Sequence, residues 1–560
     1  MRISRTYALG LFFFTLSWLG YDHYRPWINF HSEWFAFLGL FGLLLSILLH
    51  QPHSVVMPKA SAWIALAIGL PWLQYAVGIN WFAGDALLSS LYLSGLLAAV
   101  FVGYSLARND DAQLSYCLTG LMHSLWIAAI VSAAIGLAQW LNVDGHLGMY
   151  VVQSDPGDRA MGNLGQPNQL ATLLLMGMAA FLYVYERGVI GRFTFFLGIG
   201  FLTGVLILAQ SRAGMLSVVV VAGFLIWKKR TVQSRLSAKA VGGWVICFLI
   251  GVWLLPFLSE ALLLSDVRSI RDASPISQRL RMWQQVAYAV AQSPWVGYGW
   301  NQTPVAHAAG AIAFPGSIPY NYAHNFVMDM LAWNGLPLGL LLCGAIAWWF
   351  VTRIRTSVRL DAVHAMACLL PLAVHSMLEY PFAYAYFLMA AGFMVGVVEA
   401  ARVPTRTIML NVRWAWGFLA LSVPVGSYLT YEYFLIEEDF RTVRFESLRI
   451  GKTPAEYEIP HVWMISHLAA MLKASRLVVE PGMSTADLEN LRQVSQRFAY
   501  GQMNCRYAIA LGLNGQPVGA RHQLAIVRGM YGDKYQAACK LEIRRLEQEK
   551  YPQLAAVLVP

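Results

Sequence analysis

Apolar residues fall in long blocks separated by short polar links, and about thirteen blocks are long enough to be drawn as helices crossing roughly 30 Å of hydrocarbon. They lie near 7–20, 34–50, 61–78, 86–107, 118–141, 167–185, 193–209, 213–228, 241–258, 323–351, 362–379, 381–400 and 413–434. One interruption is long. Residues 259–322 are rich in Arg, Trp, Gly and Pro and run into Tyr320-Asn321-Tyr322-Ala323-His324-Asn325. In a chain whose blocks mainly suit lipid, a polar loop of that length needs a functional reason, and the chemistry is expected there. Within it, residues 279–291 read as an amphipathic helix, followed by the Gly/aromatic stretch Pro294-Trp295-Val296-Gly297-Tyr298-Gly299-Trp300.

Beyond the last block the pattern changes. Val462, Ile465, Leu468, Leu472 and Leu477 recur at roughly helical spacing, as do Leu488, Leu491, Val494 and Phe498. Pro481-Gly482 and Asn514-Gly515-Gln516-Pro517 break the pattern, and Ser484 or Thr485 is placed to cap the following helix. The segment 506–515, followed by Ala520, Gln523 and Leu524, reads as a tetratricopeptide-like (TPR-like) helix pair; a helical bundle without a repeat is the alternative. The expected fold is therefore an all-α polytopic membrane protein of about 13 transmembrane helices. Residues 1–434 form its membrane domain, with the loop 259–322 inside it, and 435–560 form a helical tail. Hydrophobic residues make up 58% of the chain and charged residues 12%, which excludes an ordinary soluble domain.

Charge orients this scheme. With a cytoplasmic N-terminus, seventeen Lys and Arg, from Arg2 to Arg413, fall on that side. Seven fall on the other side outside the tail, and all are Arg: Arg25, Arg159, Arg212, Arg268, Arg271, Arg279 and Arg281. The loop and tail are thus expected on the exported, periplasmic face. The first apolar block is followed by Tyr21-Asp22-His23-Tyr24 rather than a small-residue cleavage site, so it reads as a retained anchor. Cys117, Cys247, Cys343 and Cys368 read as packing residues. Cys505 and Cys539 share the exported tail, where a disulfide is possible but spacing alone does not decide it.

Five constellations on the exported side carry candidate chemistry. Arg159 to Gln169 gathers Asn163, Gln166, Asn168 and Gln169 around Gly162, Gly165 and Pro167, an amide cluster suited to sugar hydroxyls or phosphate oxygens, or else to capping a helix. Gln210-Ser211-Arg212 is a tight turn whose Arg can pair with phosphate in bidentate fashion or snorkel to lipid headgroups. Arg279, in the loop, is the best single phosphate ligand; Trp295, Tyr298 and Trp300 suit a sugar platform or an interfacial belt equally. His324 can take a proton from a hydroxyl near neutral pH, with Asn325, His375 or Glu379 as its orienting partner, or it is a structural histidine. His375 and Glu379 are an ionisable pair that at membrane depth requires a polar cavity or a partner, and Glu379 can equally bridge to a loop arginine.

With these residues in their common order and on one side, the chain resembles the O-antigen ligase/polymerase superfamily of bacterial membrane glycosyltransferases, and most closely its PglL-type protein O-oligosaccharyltransferases. The motifs are the 162–169 amide run, Ser211-Arg212, Arg279 with Trp283, Pro294 and Gly297-x-Gly299, His324-Asn325, His375-Ser376 with Glu379-Tyr380-Pro381, and the helical tail. The resemblance implies an inner-membrane enzyme that moves a glycan from undecaprenyl pyrophosphate to an exported, pilin-like protein. In that scheme His324 is the base. Arg279 and Arg212, helped by Arg159, neutralise the pyrophosphate. Asn163, Gln166, Asn168, Asn325, His375, Glu379 and Tyr380 complete the substrate site. Direct displacement inverts the anomeric carbon. No cofactor, metal or nucleic acid is expected; membrane lipid is. A lipid A-core ligase or Wzy-type polymerase shares donor and residues but not acceptor, and the tail favours a protein acceptor. A secondary transporter would show internal repeats and midplane charges, which the sequence does not suggest.

Overall fold

A computed structural model describes residues 5–50, 53–108, 112–262, 264, 274–316, 318–402, 406–451, 453–454 and 457–559. The chain is mostly helical, a multi-pass membrane protein. Among the described residues, six helices are long and apolar enough to cross a membrane: Phe30–Leu48, Ala83–Ala107, Ser115–Trp140, Pro167–Glu186, Ala238–Ala261 and Phe326–Thr356. Arg192–Leu208, Leu360–Ser376 and Ala385–Ala400 are apolar but shorter. Where one block was expected at 61–78 there are two short helices, Ser61–Ile68 and Leu70–Ala76, with Pro71 in the first turn of the second. The chain is not wholly α. Ser54–Pro58 pairs antiparallel with Thr407–Asn411 in register Ser54↔Asn411 and Met57↔Ile408, a small sheet between two connecting segments.

The chain divides into two compact units. The first lies within residues 1–66, 92–271 and 348–423. Its centre is the Pro167–Glu186 helix, buried at every residue from Gln169 to Tyr185, as a helix apolar all round must be. Leu360–Ser376 packs along it, and so do the helices Ala112–Trp140, Arg192–Leu208 and Arg212–Val232.

The second unit lies within residues 67–91, 272–347 and 424–560, so the C-terminal helices share it with the described part of the long loop. The expected amphipathic helix is present as Ser274–Gln292, burying Met282, Val286, Ala289 and Val290 on one face. The loop's next helix, Thr303–Ala311, packs against Thr485–Phe498 and Pro517–Tyr531 through Ala308, Ala311, Ala499, Ile526 and Met530. Gly529 permits this approach: the Gly316 amide donates to its carbonyl at 3.1 Å, and a Cβ at 529 would overlap the Ala311 carbonyl. Ser484 caps Thr485–Phe498, its hydroxyl accepting the Asp487 amide at 3.1 Å. Gly501–Leu513 packs on Pro517–Tyr531, and Cys505 is bonded to Cys539 with Cα atoms 5.8 Å apart.

Charged residues hold this unit at depth. Arg497 grips Asp85 in a bidentate pair at 2.9 and 2.7 Å, with the Asp85 residue 1% and Arg497 9% exposed. The Glu432 carboxylate accepts the amides of Trp463, Met464 and Ile465 at 2.5, 2.7 and 3.3 Å, collecting the donors that precede the Ser466–Arg476 helix. Arg476 in turn donates twice to Asp439, at 2.9 and 2.6 Å. His467, stacked on Phe498, is pushed down by burial from 6.5 to about 4, against the pull of Asp85 and with the push of Arg497.

Removing one partner of a buried pair leaves a stranded charge, so Arg497→Ala should destabilise the protein by about 3–5 kcal/mol, read as a lowered Tm in detergent, whereas Asp85→Leu with Arg497→Met should recover most of it. His467 is neutral when folded and has the depressed value, so the unfolded chain binds the extra proton. Its contribution is intact above pH 6.5 and is lost as pH falls toward 4. A Tm against pH curve should fall across that window, and His467→Phe should flatten it.

Candidate active site

The amide cluster of 159–169 divides its labour. Gly162 and Gly165 take φ of 60° and 66°, as the turn before a helix requires. The buried side chain of Gln139 holds this turn, accepting the amides of Met161 and Gly162 at 3.1 and 2.7 Å and donating to the Val152 and Gly162 carbonyls. Asn163 is likewise turned to backbone: it donates to Leu19 and Tyr150 at 2.8 and 3.0 Å and accepts from Val152 at 3.0 Å. Its side chain braces the loop.

Gln166 and Asn168 face a carboxylate. Pro167 opens the central helix, and the Gln166 side-chain oxygen caps it at the Gln169 amide, 2.7 Å away. The Gln166 Nε2 then donates to Glu379 Oε2 at 2.5 Å, and Asn168 Nδ2 donates to Glu379 Oε1 at 2.7 Å. His375 Nε2 lies 3.1 Å from Glu379 Oε2, and its Nδ1 lies 2.9 Å from the Thr172 hydroxyl. The Thr172 hydroxyl has a second neighbour, the Asn168 carbonyl 3.0 Å away, to which it donates its one proton. Both carboxylate oxygens are therefore engaged, and Glu379 is the hub of the cluster.

The second turn joins the same network. Asn168 Oδ1 accepts from Ser211 Oγ at 2.6 Å, and that oxygen accepts the Gly214 amide at 2.9 Å as cap of the Arg212–Val232 helix. Arg212 is half-buried in the first turn of that helix, and Arg159 Nη1 reaches the Gln210 carbonyl at 3.4 Å. Two helix N-termini thus meet at one cluster, with Arg212 in the first turn of the second helix and Arg159 bonded to the turn before it. Tyr380 extends it. Its ring stacks on Tyr384 at 6.1 Å, which stacks on Tyr386 at 5.5 Å, and the Tyr386 hydroxyl donates to Gln169 at 3.0 Å.

Arg279, His324 and Asn325 belong to the other unit. Arg279 is half-buried on the Ser274–Gln292 helix. His324 has φ of 53°, a left-handed conformation rare for a residue with a side chain. Asn325 accepts the Met328 amide at 3.1 Å and so caps the Phe326–Thr356 helix. Arg268 and Arg271 lie outside the described residues.

The Gly/aromatic stretch closes a helix break. Gly335 has φ of 72° and interrupts Phe326–Thr356. The Tyr298 and Gly299 amides donate to the Ala332 and Trp333 carbonyls at 2.7 and 3.1 Å, and the Leu336 amide donates to Pro294 at 2.6 Å. Gln74 bridges the same break, donating to the Trp333 carbonyl at 2.9 Å and accepting the Trp300 amide at 2.7 Å. Trp300 packs on Trp333 and Tyr298 bonds to the Ala289 carbonyl, while Trp295 is 77% exposed. Sequence reasoning missed Gln139 and Thr172 as parts of the cluster; Thr172, one turn beyond Asn168, had a positional signal.

Three family models match consecutive parts of the chain. One described as protein glycosylation ligase covers residues 160–184, the O-antigen ligase model covers 193–343, and the C-terminal model of a virulence factor membrane-bound polymerase covers 363–545. The general O-oligosaccharyltransferase of Acinetobacter baylyi is 28% identical over 542 residues, 93% of this chain and 91% of that protein. The ComP-specific O-oligosaccharyltransferase of the same organism is 25% identical over 389 residues, 68% of this chain and 69% of its own length. The family models take in the amide run, Arg212, Arg279, His324, the Glu379 segment and most of the C-terminal helices. The chain is thus similar to the PglL-type oligosaccharyltransferases of the O-antigen ligase superfamily, and it is a membrane glycosyltransferase.

Proposed function

We propose that the protein transfers an oligosaccharide en bloc from undecaprenyl pyrophosphate to a Ser or Thr hydroxyl of an exported, pilin-like protein, inverting the anomeric carbon. The near full-length similarity to a general O-oligosaccharyltransferase carries this reading, because it extends through the C-terminal helices as well as the apolar body. The protein would sit in a bacterial inner membrane, with its N-terminus cytoplasmic and the loop and TPR-like C-terminal domain, residues 435–560, periplasmic. The Cys505–Cys539 disulfide accords with that side, since such bonds persist in oxidising compartments.

In this mechanism a pyrophosphate leaving group needs its charge neutralised more than it needs an acid. Arg279, Arg212 and Arg159 are assigned to it, since guanidinium matches phosphate in bidentate geometry. His324 removes the hydroxyl proton of the acceptor as that oxygen attacks the anomeric carbon. Glu379, with Gln166, Asn168 and His375, orders the cluster beside Arg212, and Tyr380 offers a ring face to sugar. Asn163 and Asn325 complete the substrate site, each also bonded to backbone.

Reconstitution of the purified protein with an undecaprenyl-pyrophosphate glycan and a pilin-like acceptor should add one glycan mass to the acceptor. His324→Ala should add none while still inserting in the membrane; full transfer by that variant removes the base assignment. Lengthened glycan, or modified lipid A-core when it is supplied, would instead favour the polymerase or ligase reading that two of the family models suggest. Glu379→Gln keeps the shape but loses the charge that strengthens each hydrogen bond, so the transfer rate should fall about 10- to 100-fold. An unchanged rate in the same assay would make Glu379 dispensable.

A further inference from the structure

We infer that Trp283 and Asp329 are positioning residues for His324, holding the residue before it from two sides and tying it to the helix that carries Arg279; this rests on His324 being the base. The Ala323 amide donates to Asp329 Oδ1 at 2.8 Å. The Ala323 carbonyl accepts the Trp283 indole N–H at 2.9 Å. Both peptide groups of Ala323 are therefore fixed, one by the Phe326–Thr356 helix and the other by Ser274–Gln292. On the far side, the Asn325 carbonyl accepts the Asp329 amide at 3.0 Å. His324, in its left-handed conformation, is bracketed by fixed neighbours, as a strained residue must be to persist.

Asp329 is an unusual group to find there. The residue is fully buried, and no ion pair to it is present among the described residues. Its Oδ1 also accepts the Thr303 hydroxyl at 2.7 Å, and the Thr303 oxygen accepts the Trp333 indole at 2.8 Å. Oδ2 has no hydrogen-bond partner among the described residues. Burying a carboxylate on neutral donors is expensive, and what it secures here is the backbone next to His324. Trp283 adds the second half of the device. It stands four residues after Arg279, so the two share a helix face and one hydrogen bond sets the register of the Arg279 helix against His324.

A base must approach its proton to about 2.6–3.2 Å. A displacement of about 1 Å costs about 100-fold in rate. The test is steady-state transfer by the full chain, with an undecaprenyl-pyrophosphate glycan as donor and rates normalised to the folded fraction from size exclusion. Trp283→Phe keeps a ring without the donor, and Asp329→Leu removes the acceptor. Each should lower kcat about 100-fold with donor KM within about twofold. Asp329→Asn retains an acceptor oxygen and should recover most of the rate. Wild-type kcat in Trp283→Phe, a loss that falls on KM, or equal impairment in Asp329→Asn and Asp329→Leu would overturn the inference. If His324→Ala keeps full activity, the base assignment fails instead. If His324→Ala is inactive while Trp283→Phe is unimpaired, only the positioning fails.

Discussion

Polar groups in an apolar surrounding must find their partners within the protein, and most of the distinctive geometry here follows from that constraint. Glu379 shows it most clearly. Its carboxylate is buried, and Gln166, Asn168 and His375 converge on it from two helices, while Ser211 and Thr172 extend the network. The side chains that complete one another's hydrogen bonds also draw together the N-terminal ends of the Pro167–Glu186 and Arg212–Val232 helices. The satisfaction of one carboxylate thus gathers two positive helix ends in one place. The same demand explains the break at Gly335, where the Pro294–Trp300 stretch and Gln74 take up the freed backbone groups.

In the second unit the constraint ties the tail to the loop. Asp85, near the start of an apolar helix, would be untenable there without Arg497, and Arg497 comes from the C-terminal helices. Glu432 likewise holds three amides ahead of Ser466–Arg476. With the apolar contact between Thr303–Ala311 and the C-terminal helices, these bonds make the tail a structural support of the loop that bears Arg279 and His324. An acceptor-binding role for the tail is compatible with that support, because the helices carrying it still expose surfaces such as Val518 and Leu541.

Periodicity made the amphipathic helix around 279–291 and the helices of the tail legible, and local chemistry revealed caps such as Ser484 and the start of the Pro167 helix. It did not show that Asn163 would serve backbone and Gln166 a carboxylate. Both are amides in one short run, and only the fold decides which finds Glu379, more than two hundred residues away. The short sheet of Ser54–Pro58 with Thr407–Asn411 was invisible for the same reason: each strand is an unremarkable link until its distant partner lies beside it.

What the sequence determined by itself is what depends on near neighbours along the chain: apolar blocks, helical periods, caps, breaks, and an ordered set of motifs that marks the family. What only the tertiary structure decided is pairing at long range. The Glu379 hub, the Asp85–Arg497 grip, the Cys505–Cys539 bond and the Trp283–Ala323 link all join residues from different elements. A hydrogen bond or ion pair acts over about 3 Å, and composition and spacing carry no record of which distant residues the packing of apolar helices will bring within that reach.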